Sequence, residues 1–127
     1  MIIIDSNSTK SIYEQIYDEF VRLITTRVLK PDEKLPSVRE LATTVRINPN
    51  TIQKAYKLLE SKKFIYSIPG KGNFVAKNDK VVLAETKVIE EDFKKDIRKL
   101  KKLGVGDDRI ISLARETLKG DDYNATD

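Results

Sequence analysis

The chain has 127 residues, enough for one domain of ordinary size or a small domain with a helical appendage. It contains no cysteine and no histidine, which excludes disulfides and thiolate metal sites and removes the commonest acid/base catalyst along with the commonest metal ligand. The hydrophobic fraction of 39% and charged fraction of 35% fit a soluble globular chain with a modest core, and the formal net charge of +4 is unevenly spread. Residues 1–78 hold 13 Lys/Arg against 8 Asp/Glu, whereas residues 79–127 hold 11 against 12. Between positions 39 and 77, Arg39, Arg46, Lys54, Lys57, Lys62, Lys63, Lys71 and Lys77 are opposed only by Glu40 and Glu60. Such a window suits either a polyanion partner or a lysine-rich solvated face. The opening Met-Ile-Ile-Ile is too short for a signal or membrane-spanning segment, so a cytoplasmic location is expected.

The first periodic segment runs from about Ser11 to Val28, with Ile12, Ile16, Phe20, Leu23 and Ile24 at helical spacing. Ser11 and Glu14 have the form of a capping box, and Pro31 ends any continuation. Asp32-Glu33-Lys34 reads as a turn. Ser37 and Glu40 repeat the capping-box spacing and open a short second helix that ends near Arg46, with Val38, Leu41 and Val45 facing inward. A third helix, about 49–62, is marked by Asn48 as N-cap and Pro49 at its first position. Its Ile52, Ala55, Tyr56 and Leu59 cluster on one face, while Asn50, Gln53, Lys54 and Lys57 cluster on the other. Tyr56 is read as a core residue. Two β-prone runs, 64–68 and 73–76, flank Pro69-Gly70-Lys71-Gly72 and predict a hairpin with Lys71 at its tip. That glycine pair lacks the spacing and the Ser/Thr of a phosphate-binding loop.

Lys77-Asn78-Asp79-Lys80 is a polar joint and the candidate boundary. Beyond it a long helix is expected from Val81 to Leu103, with an apolar stripe of Ile89, Phe93, Ile97, Leu100 and Leu103. The Glu90-Glu91-Asp92 run on it reads as a solvated face, not a metal site. A last helix, about 108–119, offers Ile110, Ile111, Leu113, Ala114 and Leu118, and the tail 121–127 is expected to be flexible. Two helices with that much apolar surface make a poor core alone, so residues 78–120 are expected to pair with a second copy.

Three helices followed by a hairpin is the order of a winged helix-turn-helix: mainly α, with a small β wing over residues 1–77. In that arrangement the third helix enters the major groove of DNA with its N-terminal half against base edges. Asn and Gln amides suit adenine, Lys suits guanine, and free amides at a helix start suit a phosphate.

Leu35-Pro36-Ser37-Val38-Arg39-Glu40-Leu41-Ala42, then Ile47-Asn48-Pro49-Asn50-Thr51-Ile52-Gln53-Lys54-Ala55-Tyr56, then Pro69-Gly70-Lys71-Gly72 with Phe74-Val75, resemble the GntR family of bacterial repressors. The Asn-Pro-Asn-Thr run, the Met-Ile-Ile-Ile-Asp opening and the short carboxyl-terminal part resemble its YtrA-like subgroup. The resemblance implies a winged helix domain, a two-helix dimerisation region and a homodimer on a palindromic double-stranded operator. It implies DNA contacts from Arg39, the start of the third helix and the glycine-flanked wing tip, 69–73. The candidate DNA-binding set is therefore Ser37, Arg39, Arg46, Asn48, Asn50, Thr51, Gln53, Lys54, Lys57, Gly70, Lys71 and Gly72. The candidate dimerisation set is Ile89, Phe93, Ile97, Leu100, Leu103, Ile110, Leu113 and Leu118. No catalytic residue, metal, cofactor or membrane contact is expected, and a small-molecule effector is left open. The alternative is a winged helix used only for protein contacts.

The chain departs from the family pattern at Arg27, Asp32, Arg46 and Lys63, where glycine is common, and at Asn73, where threonine is usual. Glycine at the Arg46 and Lys63 positions serves tight turns of positive φ, so those turns are expected to be wider or strained here. Arg46 is alternatively a phosphate contact.

Overall fold

The computed structural model describes residues 4–120; residues 1–3 of the opening and the tail expected to be flexible, 121–127, lie outside the described residues. The chain divides into two compact units, Met1–Val82 and Leu83–Asp127.

In the first unit, α1 (Ile12–Thr25) starts at the Ser11–Glu14 capping box, in which the Ser11 N–H donates to Glu14 Oε1 at 3.1 Å. It buries Ile16, Phe20, Leu23 and Ile24, one stripe of a 3.6-residue repeat. The helix stops short of Val28 because Arg27 takes a left-handed φ of 65° and turns the chain, so that the Leu29 N–H donates to Leu23 O. The second capping box opens α2 (Val38–Val45): the Glu40 N–H donates to Ser37 Oγ at 3.0 Å and the Ser37 N–H to Glu40 Oε1 at 2.9 Å. Arg46 closes α2 in left-handed geometry, φ 57° and ψ 47°. Asn48 then caps α3 (Pro49–Ser61), its Oδ1 accepting from the Asn50 N–H at 2.8 Å, with Pro49 at the first position where no N–H is needed.

Ile52, Ala55, Tyr56 and Leu59 of α3 are buried against α1 and α2. Tyr56 is a core residue as expected: its ring meets Phe20 edge-on at 5.5 Å, and its hydroxyl donates to Pro36 O at 2.7 Å. Burial pushes the phenol pKa far above its ordinary value, so the hydroxyl stays a donor at every physiological pH.

The hairpin is β1 (Ile65–Ile68) and β2 (Gly72–Val75), antiparallel, with Ile65 opposite Val75 and Ile68 opposite Gly72. The Lys71 N–H donates to Ile68 O across Pro69 and a Gly70 of φ 78°, the proline-then-glycine pattern of a type II turn. Residues 32–34, expected to be a turn, do more, together with Leu35. Lys34 forms an antiparallel bridge with Phe74, the Val75 N–H donates to Glu33 O, and the Leu35 N–H donates to Asn73 O. This segment thus acts as a third strand on the free edge of β2, leaving less of that edge unpaired. Side-chain alternation puts Leu35, Ile65 and Val75 in the core and the stacked Tyr66–Phe74 pair on the outer face.

The polar joint 77–80 is built into the fold. Asn78 is 2% exposed, its carbonyl accepts from the Val82 N–H, and its amide donates to Ala76 O. Asp79 already begins α4 (Asp79–Lys102), two residues before the expected start, and pairs with Arg27 at 2.7 Å.

All four positions where the family pattern has glycine are left-handed: Arg27, Asp32, Arg46 and Lys63 have φ of 65°, 68°, 57° and 67°. The turns at Arg46 and Lys63 therefore keep the tight form and carry its strain, in preference to widening.

In the second unit, the rest of α4 packs beside α5 (Asp107–Leu118) across the turn at Gly104, whose φ is 87°. Lys101 reaches Asp107 at 2.8 Å, a charge on the first turn of α5 that suits the helix dipole. Among the described residues, none on α4 or α5 is buried. Phe93, Ile97, Leu100, Ile110, Leu113 and Leu118 line an open apolar groove of about 480 Å³ with Asp96, Ala114 and Thr117. No helix among the described residues is long and apolar enough to cross a membrane.

Candidate nucleic-acid interface

The side of α3 away from the core carries Asn50, Gln53 and Lys57. All three are exposed, and their side chains form no hydrogen bond or ion pair among the described residues. A helix that spends Ile52, Ala55, Tyr56 and Leu59 on the core presents these three by its own periodicity, with Asn48 fixing where the helix begins. Thr51, in the first turn, is half-buried and its N–H donates to Asn48 O at 3.0 Å.

Lys54 does not join that face freely. Its ammonium sits 4.1 Å from the centroid of the Tyr13 ring on α1, a cation–π contact worth about 0.5–1 kcal/mol at an exposed site. Two further candidates have their side chains committed to capping: Ser37 Oγ accepts from the Glu40 N–H, and Asn48 Oδ1 from the Asn50 N–H. What they offer is the orientation of the helix starts. The Ser37 amide and hydroxyl hold the Glu40 carboxyl below its ordinary pKa, with a smaller pull from Lys34. Two residues into α2, Arg39 is exposed with no ion pair among the described residues, and so is Arg46 in the turn between α2 and α3. The Tyr56–Pro36 hydrogen bond ties the approach to α2 against α3, which sets the two helix starts relative to each other.

The wing supplies Gly70, Lys71 and Gly72. Gly72 has a φ of 130°, a conformation other residues rarely adopt, and a Cβ there would stand 2.9 Å from Lys34 Cε. Gly70 has φ 78° with nothing within 4 Å, so its glycine is required by the turn alone. A clip anchors the wing from outside: the Tyr66 hydroxyl donates to Asp32 Oδ1 at 2.8 Å, and that bond raises the phenol pKa.

Lys34 is the residue that sequence reasoning passed over. It lies outside the 39–77 window and reads locally as part of a turn. Only its pairing with Phe74, forty residues on, brings it beside the wing.

The second candidate surface, in the α4–α5 unit, is apolar. Ile97, Leu100, Ile110 and Leu113 are half-buried there, whereas Phe93 is 57% and Leu118 85% exposed. Of the expected dimerisation set, Ile89 and Leu103 lie off the groove and are 65% and 81% exposed. The acidic run 90–92 is exposed, and no group of acidic residues able to hold a metal occurs among the described residues.

Comparison with known proteins places the sequence and the fold. The family model for bacterial regulatory proteins, gntR family, matches residues 12–75. The HTH-type transcriptional repressor YtrA of Bacillus subtilis (strain 168) is 46% identical over 96 residues, 74% of this chain and 74% of its own length. A transcriptional regulator from Oenococcus oeni superposes with a TM-score of 0.70 at 35% identity, over 93% of this chain and 99% of that one. AraR(DBD), solved in complex with operator ORE1, superposes with a TM-score of 0.52 at 32% identity, over 60% of this chain and 93% of that one.

Proposed function

We propose, from the premise that this chain belongs to the GntR family of bacterial regulatory proteins, that it represses transcription as a homodimer on a palindromic operator. The family is one of DNA-binding transcription regulators and not of enzymes. The observation that carries the finer reading is the α3 face: Asn50, Gln53 and Lys57 stand exposed beside a fixed helix start, their side chains unengaged among the described residues. In this reading α3 lies in the major groove, where Gln53 and Asn50 bond base edges and Lys57 meets backbone. Thr51, Arg39 and Arg46 contact phosphates, Ser37 and Asn48 set the helix starts, and Lys54 lends its charge from its seat on Tyr13. Gly70, Lys71 and Gly72 present the wing tip to the minor groove. An operator bound by AraR(DBD), a structure similar to this chain's own, supports the DNA partner.

The apolar groove of the α4–α5 unit supports the dimer. A folded unit that buries none of its described side chains lacks a core, and a second copy supplies one by completing a four-helix cluster. A twofold dimer then offers two recognition helices to two half-sites related by the same axis, which raises affinity well beyond that of one module. On this reading residues 1–77 read DNA and residues 78–120 dimerise, and the protein works in the cytoplasm, where its DNA is.

The test is selection of bound duplexes from a random pool, followed by titration of the selected duplex against salt. A dimer that neutralises roughly 6–10 phosphates gives a log–log slope of about −5 to −9. A slope near zero on the selected duplex overturns the proposal.

A further inference from the structure

We infer that Lys34 is a DNA-phosphate contact that spans the gap between the start of α2 and the wing; the inference rests on the DNA-binding reading above. Its position is fixed by backbone pairing. The Val75 N–H to Glu33 O and Leu35 N–H to Asn73 O bonds bracket Lys34 opposite Phe74, so its side chain leaves on the outer face of the sheet. From there it runs along β2 toward the turn, with Cε 2.9 Å from where a Cβ on Gly72 would stand. The bare glycine leaves the track open for the aliphatic stem. The ammonium is exposed and makes no ion pair or hydrogen bond among the described residues.

Three residues further on, Ser37 caps α2 and Arg39 follows, while Lys71 stands at the wing tip. Lys34 thus places a cation between the α2 start, where Arg39 meets phosphate on that reading, and the wing, on the side of the backbone that separates the major groove taken by α3 from the minor groove taken by the wing tip. The strand of backbone between two grooves presents only phosphates and sugars, and a compact ammonium on a long stem is suited to phosphate and blind to base sequence.

The experiment uses the full chain, the duplex selected above, and two variants. Lys34→Met keeps the stem against Gly72 and removes the charge; Lys34→Arg keeps the charge. Loss of one phosphate contact per subunit, two per dimer, lowers the salt slope by about 1.8 and weakens binding about 60-fold near roughly 0.1 M salt. Lys34→Met is expected to show both changes equally on matched and mismatched duplexes, with unchanged thermal unfolding, and Lys34→Arg is expected to restore the slope. A steep wild-type slope that Lys34→Met leaves unaltered overturns the contact alone, and so does a loss confined to the matched duplex. A wild-type slope near zero overturns the DNA-binding reading and the contact with it.

Discussion

Replacing Arg46 by glycine is expected to make the protein more stable and a poorer DNA binder at once. Arg46 sits at φ 57° and ψ 47°, the centre of the left-handed region, where a side chain costs about 1–2 kcal/mol relative to the right-handed one. Glycine removes that cost but gains roughly 0.5–1 kcal/mol of conformational freedom in the unfolded chain, which offsets part of it. Nothing else is lost on the folded side: the Arg46 N–H to Ala42 O bond belongs to the backbone, and the guanidinium has no partner among the described residues. The net gain is about 0.5–1 kcal/mol, or roughly 2–8 °C in melting temperature for a domain of this size. Lys63, at φ 67°, is expected to gain stability alike on replacement by glycine. Arg27→Gly is the internal control, since it also breaks the 2.7 Å pair with Asp79 and should gain less. Thermal and urea unfolding measure the stability arm, and salt titration on the selected duplex measures the other. If Arg46→Gly unfolds at or below the wild-type temperature, the strain argument is wrong. If its salt slope matches wild type, Arg46 is no phosphate contact and the arginine has no function to set against its strain.

Gln53→Ala should relax preference at one base pair per half-site by about 1–3 kcal/mol of discrimination, whereas Lys57→Ala should weaken all duplexes alike; equal specificity profiles for Gln53→Ala and wild type would refute the base contact. Phe93→Asp should leave each copy folded, because Phe93 is 57% exposed in the single chain, yet break the pairing of copies by burying an unpaired carboxylate. Sedimentation at micromolar concentration checks this, and a monomeric wild type or a dimeric variant counts against the dimer. Tyr56→Phe should cost about 1–2 kcal/mol in urea unfolding, since the Pro36 carbonyl loses its donor in a partly buried setting; a neutral effect would mean that water replaces the hydroxyl.

The helices could be read from the sequence because their ends are written in side chains that make identifiable bonds. Ser11 with Glu14, Ser37 with Glu40, and Asn48 before Pro49 each satisfy orphan amides through atoms of their own, and the structure shows those bonds. The hairpin could be read because Pro69 and Gly70 specify a turn type without help from the rest of the fold. What stayed hidden depends on contacts distant in sequence. The strand-like pairing of residues 32–35 has no local signature, because it consists of backbone bonds to residues 73–75. Lys54 falls on the polar side of α3 by angle, and only the packing of α1 reveals Tyr13 beneath it. Asn78 reads as part of a polar joint, and nothing local in the sequence marks its burial at the start of α4. The left-handed residues were a further case: non-glycine side chains at Arg46 and Lys63 left wider and strained turns both open, and the backbone keeps the strained left-handed form despite the steric cost.

The edge pairing between residues 33–35 and 73–75 also fixes an order of assembly. Closing a loop of that span costs about 3 kcal/mol of chain entropy before any contact is made. Leu35 is 2% and Val75 0% exposed and both belong to one core cluster, so that cluster is incomplete until residue 75 has arrived. On the ribosome the three helices can gather as soon as they emerge, but the core stays open along one side until residue 75 has left the exit tunnel. During that interval the core cluster that holds Leu35, Phe64 and Ile65 lacks one of its members. The vulnerable stretch of synthesis is therefore the one between the end of α3 at Ser61 and Val75 at the end of β2, a window that slowed elongation would lengthen.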